Sequence, residues 1–155
     1  LLALAAHPES IIIRTSWLFS EYGNNFVKTM LRLTKERDSL SIVHDQTGCP
    51  TYAGDLAHAI IELLQQPTSP RGIFHYCGNK SATWYEFTKA IFQTAHQLDD
   101  SFRIPELNAI TTDQYPLPAP RPAYSIMDCS RLETEFGIKP SDWQKALREI
   151  LRTID

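Results

Sequence analysis

What the chain lacks narrows its function before any motif is read. Its three cysteines stand at positions 49, 77 and 129, an odd number without a CxxC pair. That spacing argues against a disulfide framework and against a zinc site, and it suits a reducing cytoplasm, the location expected here. The five histidines spell neither HExxH nor HxH, and the carboxylates form no ligand cluster, so a magnesium requirement has no support in the sequence. The six glycines nowhere spell GxxGxxG, the loop that cradles a dinucleotide pyrophosphate. No apolar run approaches the ~20 residues of a membrane span. The opening LLALAAHPE has no basic leader, and its apolar run is shorter than a signal peptide needs. Charge of one sign is scarce too. A formal net charge of −3 exerts no general pull on nucleic acid or anionic membrane, so neither is expected as a partner.

What is present reads as α/β. The 155 residues are 43% apolar and 21% charged, enough for one ordinary domain with a real core. Residues 11–15 form a β-branched run, as in a strand buried on both faces of a parallel sheet. Residues 40–43 and 73–77 are two further short strands. Helices are expected from Asn25, with Phe26, Met30 and Leu33 on one stripe, and over about 55–66, with Leu56, Ile60, Leu63 and Leu64 facing one way. A third begins at Ser81 or Thr83, where Thr83 and Glu86 have capping-box spacing. Ser130 and Glu133 repeat that spacing in front of a short helix ended by Gly137, and Trp143, Leu147, Ile150 and Ile154 share a face of the last one. Residues 101–124 are irregular and proline-rich, with Ile104 and Ile110 each expected to open a short strand. Three strong strands are few for a sheet, and the chain opens on Leu1, in what reads as the end of a helix. Both features suggest a fragment of a longer protein. An apolar sheet edge left open by such a cut would favour self-association.

One stretch does not read as packing alone. In IIIRTSWLFSEYGNNFVKTML, Thr15, Ser16 and Trp17 stand where the apolar strand runs out. Ligands of open α/β sheets bind outside the carboxyl ends of the strands. Two hydroxyls there can bond an amide or a sugar, and the indole offers a flat wall with one N–H donor. The same ring would equally serve as a cover over the edge of the core.

The order of motifs carries more than any one of them. RTSWLFSEYGNNFVKTML, then VHDQTGCPTYAGDLA, then RPAYSIMD resembles the dTDP-4-dehydrorhamnose reductases, which belong to the extended short-chain dehydrogenases/reductases. The resemblance runs from about Ile11 to the C-terminus. It implies a Rossmann-like doubly wound parallel sheet joined to a small α/β substrate-binding domain. Residues 1–20 would be the last helix end and strand of the dinucleotide-binding part, and 21–155 mainly the substrate-binding part. The implied reaction is hydride transfer from NADPH (or NADH) to C4 of dTDP-4-dehydro-L-rhamnose; the self-association expected from the open edge would give a homodimer.

Carried over residue by residue, the resemblance puts Trp17 against the sugar ring, with Thr15 and Ser16 near the nicotinamide. Asn25 would bond substrate or simply cap its helix. Gln46 and Thr51, of DQTGCPTY, would shape the sugar-nucleotide side of the pocket. Arg121 would hold the pyrophosphate, since a guanidinium fork matches phosphate oxygens and Pro120 and Pro122 stiffen its backbone; otherwise it forms a surface ion pair. Asp128 is expected to cap or anchor rather than to touch substrate. Tyr85 and Lys89 spell YEFTK and so mimic the YxxxK proton-donating dyad, but in the family that dyad precedes the RTSW strand. No catalytic residue is therefore expected within these 155, and the chain alone would be inactive. Two other readings stay open. One is a non-catalytic binding subunit resembling the regulatory subunit of methionine adenosyltransferase; the other is a different sugar-nucleotide reductase or epimerase. An intact YxxxK and glycine-rich loop upstream would favour an enzyme over the first.

Overall fold

Ile11–Arg14 forms strand β1 after a short helix α1, Leu2–Ala6, in a computed structural model that describes residues 2–67 and 70–154. β1 pairs in parallel with β6, Gly72–His75, in the register Ile11↔Gly72 to Arg14↔His75. The expectation of burial on both faces is corrected here. The three isoleucines are only half-buried, because among the described residues β1 has one strand neighbour and not two.

Helix α2, Phe26–Thr34, follows a glycine turn, and Asn25 is its N-cap: Asn25 Oδ1 accepts from the Lys28 N–H at 3.2 Å. Strand β3, Ser39–Val43, runs parallel to β8, Glu106–Ile110. Neither Ile104 nor Ile110 opens a strand; Ile110 closes one. Two-residue strands fill the remaining joints. β2, Leu18–Phe19, is parallel to β5, Thr51–Tyr52, and β4, Thr47–Gly48, is antiparallel to β7, Ala82–Thr83. Helix α3, Ala53–Leu64, buries Ala59 and Leu63 but leaves Ile60, Ile61 and Leu64 exposed, so the apolar stripe expected there is only partly covered. Helix α4, Trp84–Leu98, starts from the expected capping box of Thr83 and Glu86. Helix α5, Ser130–Phe136, does not use its Ser130–Glu133 spacing: its N-cap is Cys129, which makes no side-chain cap bond, and Asp128 instead accepts from the Ser130 N–H at 2.9 Å. Gly137 ends it at φ 72, a conformation that suits glycine. Helix α6, Trp143–Ile150, closes the fold.

Two large apolar clusters result, beside a small one of the three cysteines. The larger joins α2, β3, α4 and α6 through Val27, Met30, Ile42, Phe87, Ile91, Phe92, Trp143 and Leu147. The smaller joins α3, β6 and α5 through Ala59, Leu63, Phe74, Tyr76, Leu132 and Ile138. β1 packs on the smaller and Phe19 of β2 on the larger. The three residues 15–17 between these strands therefore bridge the two clusters, and this is where the polar motifs meet.

Candidate functional site

Trp17 is the one non-glycine residue at positive φ among the described residues, at 49°. A left-handed backbone costs a bulky side chain about 1–2 kcal/mol, so neighbouring contacts must hold it there. Three do. The Thr51 N–H donates to the Trp17 carbonyl at 3.1 Å, continuing the pairing of β2 with β5. The indole stacks on Trp84, centroids 3.5 Å apart and planes 9° from parallel. Gly48 lies under its edge, where a Cβ would come within 2.5 Å of Trp17 Cε2 and 2.8 Å of Ser125 Oγ. The glycine of DQTGCPTY is therefore required by the indole above it and by Ser125 beside it.

Trp84 is fixed in turn by a chain of hydrogen bonds. Its Nε1–H donates to Gln46 Oε1 at 3.2 Å, and Gln46 Nε2 donates to Thr112 Oγ1 at 3.2 Å. Thr112 donates through its hydroxyl (2.7 Å) and its backbone N–H (3.0 Å) to the Asp45 carboxylate. These two bonds hold the Asp45 carboxyl below its ordinary pKa. Gln46 is 8% exposed with both ends of its amide engaged, so it shapes the site by orienting Trp84.

The RPAYSIMD segment is stitched to the same place. Thr47 N donates to the Ala123 carbonyl at 2.8 Å, and Ser125 N donates to the Thr47 carbonyl at 2.9 Å. Arg121 therefore sits two residues from a backbone bond to the strand beside Trp17. It is exposed and, among the described residues, enters no ion pair, so the surface salt bridge is not formed here.

The other predicted positions are used internally. Ser16 Oγ donates to the Cys49 carbonyl at 3.1 Å, and Thr51 Oγ1 donates to the same carbonyl at 3.2 Å from a fully buried position. Asn25 caps α2 with its oxygen and donates its Nδ2 to the Ser20 carbonyl at 2.7 Å. Thr15 differs: its Oγ1 is buried and has no partner. Such an orphan costs about 1–3 kcal/mol. A free hydroxyl is of the chemistry that bonds a carboxamide, the polar group of a nicotinamide, whereas the sequence holds no glycine-rich loop for the phosphates. Tyr52 donates to both Glu21 carboxylate oxygens at 3.2 Å, and burial together with Glu21 raises its phenol above the ordinary range. Tyr85 packs half-buried against the larger cluster while Lys89 is exposed.

Trp84 is the contributor that the sequence reading passed over. Its signal was a tryptophan at the first helical position after a capping box, where the ring packs at the rim of the larger cluster against Trp17 and Phe26. Among the described residues no group of three or more His, Cys, Asp or Glu is arranged to hold a metal ion, and no helix is long and apolar enough to cross a membrane.

The profile of the RmlD substrate binding domain matches residues 2–155. The chain is 50% identical over 153 residues to the dTDP-4-dehydrorhamnose reductase of Aggregatibacter actinomycetemcomitans, covering 96% of this chain and 52% of that protein. Two crystal structures of dTDP-4-dehydrorhamnose reductases superpose closely. That from Bacillus anthracis, in complex with NADP, gives a TM-score of 0.81 at 40% identity over 92% of this chain and 48% of that one. That from Clostridium acetobutylicum gives 0.85 at 36%, over 96% and 50%. The chain spans about half the length of the relatives it matches. Matched by that profile along nearly all of its length, it belongs to the RmlD substrate-binding domain family, that of the dTDP-4-dehydrorhamnose reductases.

Proposed function

We propose that this chain forms the substrate wall of a reductase converting dTDP-4-dehydro-L-rhamnose to dTDP-L-rhamnose with NADPH. The observation that carries the reading is Trp17. A bulky ring is kept at positive φ at a strand exit, over a glycine and against a second indole, which is costly geometry for a mere cover. The substrate class comes from relatives named for this reaction and the cofactor from the relative solved with NADP.

Within that reading each residue acts through what it touches. Trp17 meets the sugar ring with its open edge, and Gln46 fixes the ring pair from behind. Arg121, with no carboxylate to satisfy, takes the pyrophosphate through a bidentate fork. NADPH supplies the hydride when bound. The Thr15 hydroxyl, now without a partner, holds the nicotinamide end in place, while Ser16 and Thr51 anchor the loop at Cys49. β1 and β6 then belong to the dinucleotide-binding sheet, and the elements around the larger cluster to the substrate side. We further propose a cytoplasmic enzyme that self-associates, supported by the open apolar face of α3, where Ile61 is 51% and Leu64 67% exposed.

Titration with dTDP-L-rhamnose, followed by tryptophan fluorescence, tests the reading. Saturable quenching is expected, lost in Trp17→Phe and weakened roughly tenfold or more in Arg121→Ala. An unchanged titration in Trp17→Phe would overturn the assignment of the wall. The 155-residue chain by itself is expected to show no turnover, and turnover abolished by Tyr85→Phe would make YEFTK catalytic after all.

A further inference from the structure

The three cysteines, scattered in sequence, converge in space. Cys49, Cys77 and Cys129 are all free and buried, and they form a cluster of their own flanked by Ile126 and Met127. Each comes from a different segment of the site. Cys49 follows Gly48 in the loop under Trp17, Cys77 lies just beyond the end of β6, and Cys129 ends the segment that carries Arg121 and Ser125. Cys77 is the hub. Its Sγ lies 3.4 Å from Cys129 Sγ, and its backbone N–H donates to that same sulfur at 3.2 Å. Both sulfurs also approach the Met127 carbonyl, at 3.6 and 3.7 Å.

We propose that Cys77 and Cys129 are an oxidative modification site, joined by a hydroperoxide into one intrachain disulfide within the loops that build the Trp17 site. The two sulfurs need to close by roughly 1.4 Å to reach a covalent S–S distance of ~2.05 Å. The Cys77 N–H already holds the Cys129 sulfur against the strand end, so little backbone has to move. Burial decides between products. With Cys77 at 1% and Cys129 at 8% exposure, neither sulfur can meet a cysteine of another molecule, whereas each meets the other.

The chemistry balances with the hydroperoxide as the sole oxidant. One thiol sulfur takes the terminal peroxide oxygen, the O–O bond breaks, and the alcohol leaves with the thiol proton. The neighbouring sulfur then attacks the sulfenic sulfur, forming S–S and releasing water. Two thiols are oxidised and one hydroperoxide is reduced. The thiols differ in readiness. A hydrogen bond from Cys77 holds Cys49 below its ordinary value. At Cys77 the bond from Cys129 lowers the thiol, but its own bond to Cys49 and burial outweigh it and leave it at about 11. Its bond to Cys77 and burial push Cys129 higher still. Oxidation is accordingly slow compared with an exposed low-pKa thiol, and it is the 3.4 Å sulfur contact, not thiolate character, that selects this pair. The product ties the Arg121 segment to the end of β6 across 52 residues of sequence.

The test uses the purified, fully reduced protein, treated with tert-butyl hydroperoxide, alkylated in denaturant and mapped by mass spectrometry. The expected result is a monomer lighter by two hydrogen atoms, a Cys77–Cys129 peptide link, and a single alkylated thiol at Cys49, all reversed by dithiothreitol. Three alkylatable thiols, a link between chains, a link through Cys49, or sulfinic acids without any link would each overturn the proposal. Cys129→Ala is expected to retain two free thiols. If that variant does not fold, Cys129→Ser preserves the shape and is expected to give the same result; a disulfide in either variant would count against the assignment.

Discussion

The aromatic run that crosses this molecule differs at its two ends. At the inner end Phe87 stacks between Phe26 and the edge of Trp143, with centroids 5.6 and 5.3 Å away, and Phe87 and Phe92 are wholly buried. The only polar atom of this group, Trp143 Nε1, donates to the Lys80 carbonyl at 2.9 Å. At the outer end Trp17 and Trp84 are half-buried, closer together at 3.5 Å, and oriented by a hydrogen-bond chain reaching Asp45. Phe26 joins the two, 4.6 Å from Trp84. The difference teaches that one continuous stack does two jobs. Inside, dispersion and dry burial fix the rings, and loss of a ring is a loss of stability. Outside, the rings have water on one side, so polar bonds must supply the orientation that packing alone would leave loose.

The strongest way to break the comparison is to cut each end separately. Phe87→Ala empties the dry end and is expected to cost about 3–5 kcal/mol, read as a large drop in the urea midpoint. Gly48→Ala attacks the wet end, because the new Cβ would sit 2.5 Å from Trp17 Cε2. Relief of that clash is expected to cost about 1–3 kcal/mol and to move the indole, so ligand binding falls by more than stability does. If Gly48→Ala lowered stability as much as Phe87→Ala while leaving binding intact, the two ends would not differ in kind.

The sequence made the inner end plain and the outer end only half so. The capping box at Thr83, the Asn25 cap and the left-handed Gly137 were readable because each is decided by neighbours within a few residues. Strand β8 was misplaced: two short strands were expected to open at Ile104 and Ile110, whereas one runs Glu106–Ile110, because pairing with β3 and not the local pattern sets its ends. The two-residue strands β2, β4, β5 and β7 carry no period to detect. The exposure of Ile60 and Leu64 could not be foreseen either, since a stripe shows what a helix can bury and not what covers it. Trp17, Gln46 and Arg121 were named from their motifs. Trp84 and the convergence of the cysteines depend on contacts 28 to 67 residues apart in sequence, which no local pattern encodes: Trp84 to Gln46 spans 38 and Cys77 to Cys129 spans 52.

Gln46 sharpens the comparison with a smaller effect. Gln46→Leu keeps most of the volume but removes both bonds, leaving the Trp84 indole N–H and the Thr112 hydroxyl to find other partners. A loss of about 1–3 kcal/mol in stability is expected, together with a changed tryptophan emission. The same exchange has no counterpart at the dry end, where Trp143 bonds to backbone and not to a side chain. Unaltered emission in Gln46→Leu would mean that stacking alone orients Trp84.

The smallest effect lies at the far end of the chain of bonds, in Asp45. Thr112 holds its carboxyl below the ordinary 3.8, so the group is charged more readily in the folded protein than in the unfolded one. A depressed folded value stabilises the fold above the unfolded pKa, and the contribution is lost as pH falls through about 4 toward the folded value. Asp45 is exposed to solvent, which keeps the contribution small and sensitive to salt. Wild type and Asp45→Asn are therefore expected to differ slightly in urea midpoint near neutral pH and to converge below about pH 4. The accompanying tryptophan signal discriminates further. If Thr112 and Gln46 transmit the change, Trp84 emission shifts over the same window as the midpoint, whereas no emission change would confine Asp45 to anchoring the turn at Thr112 and end the polar chain at Gln46.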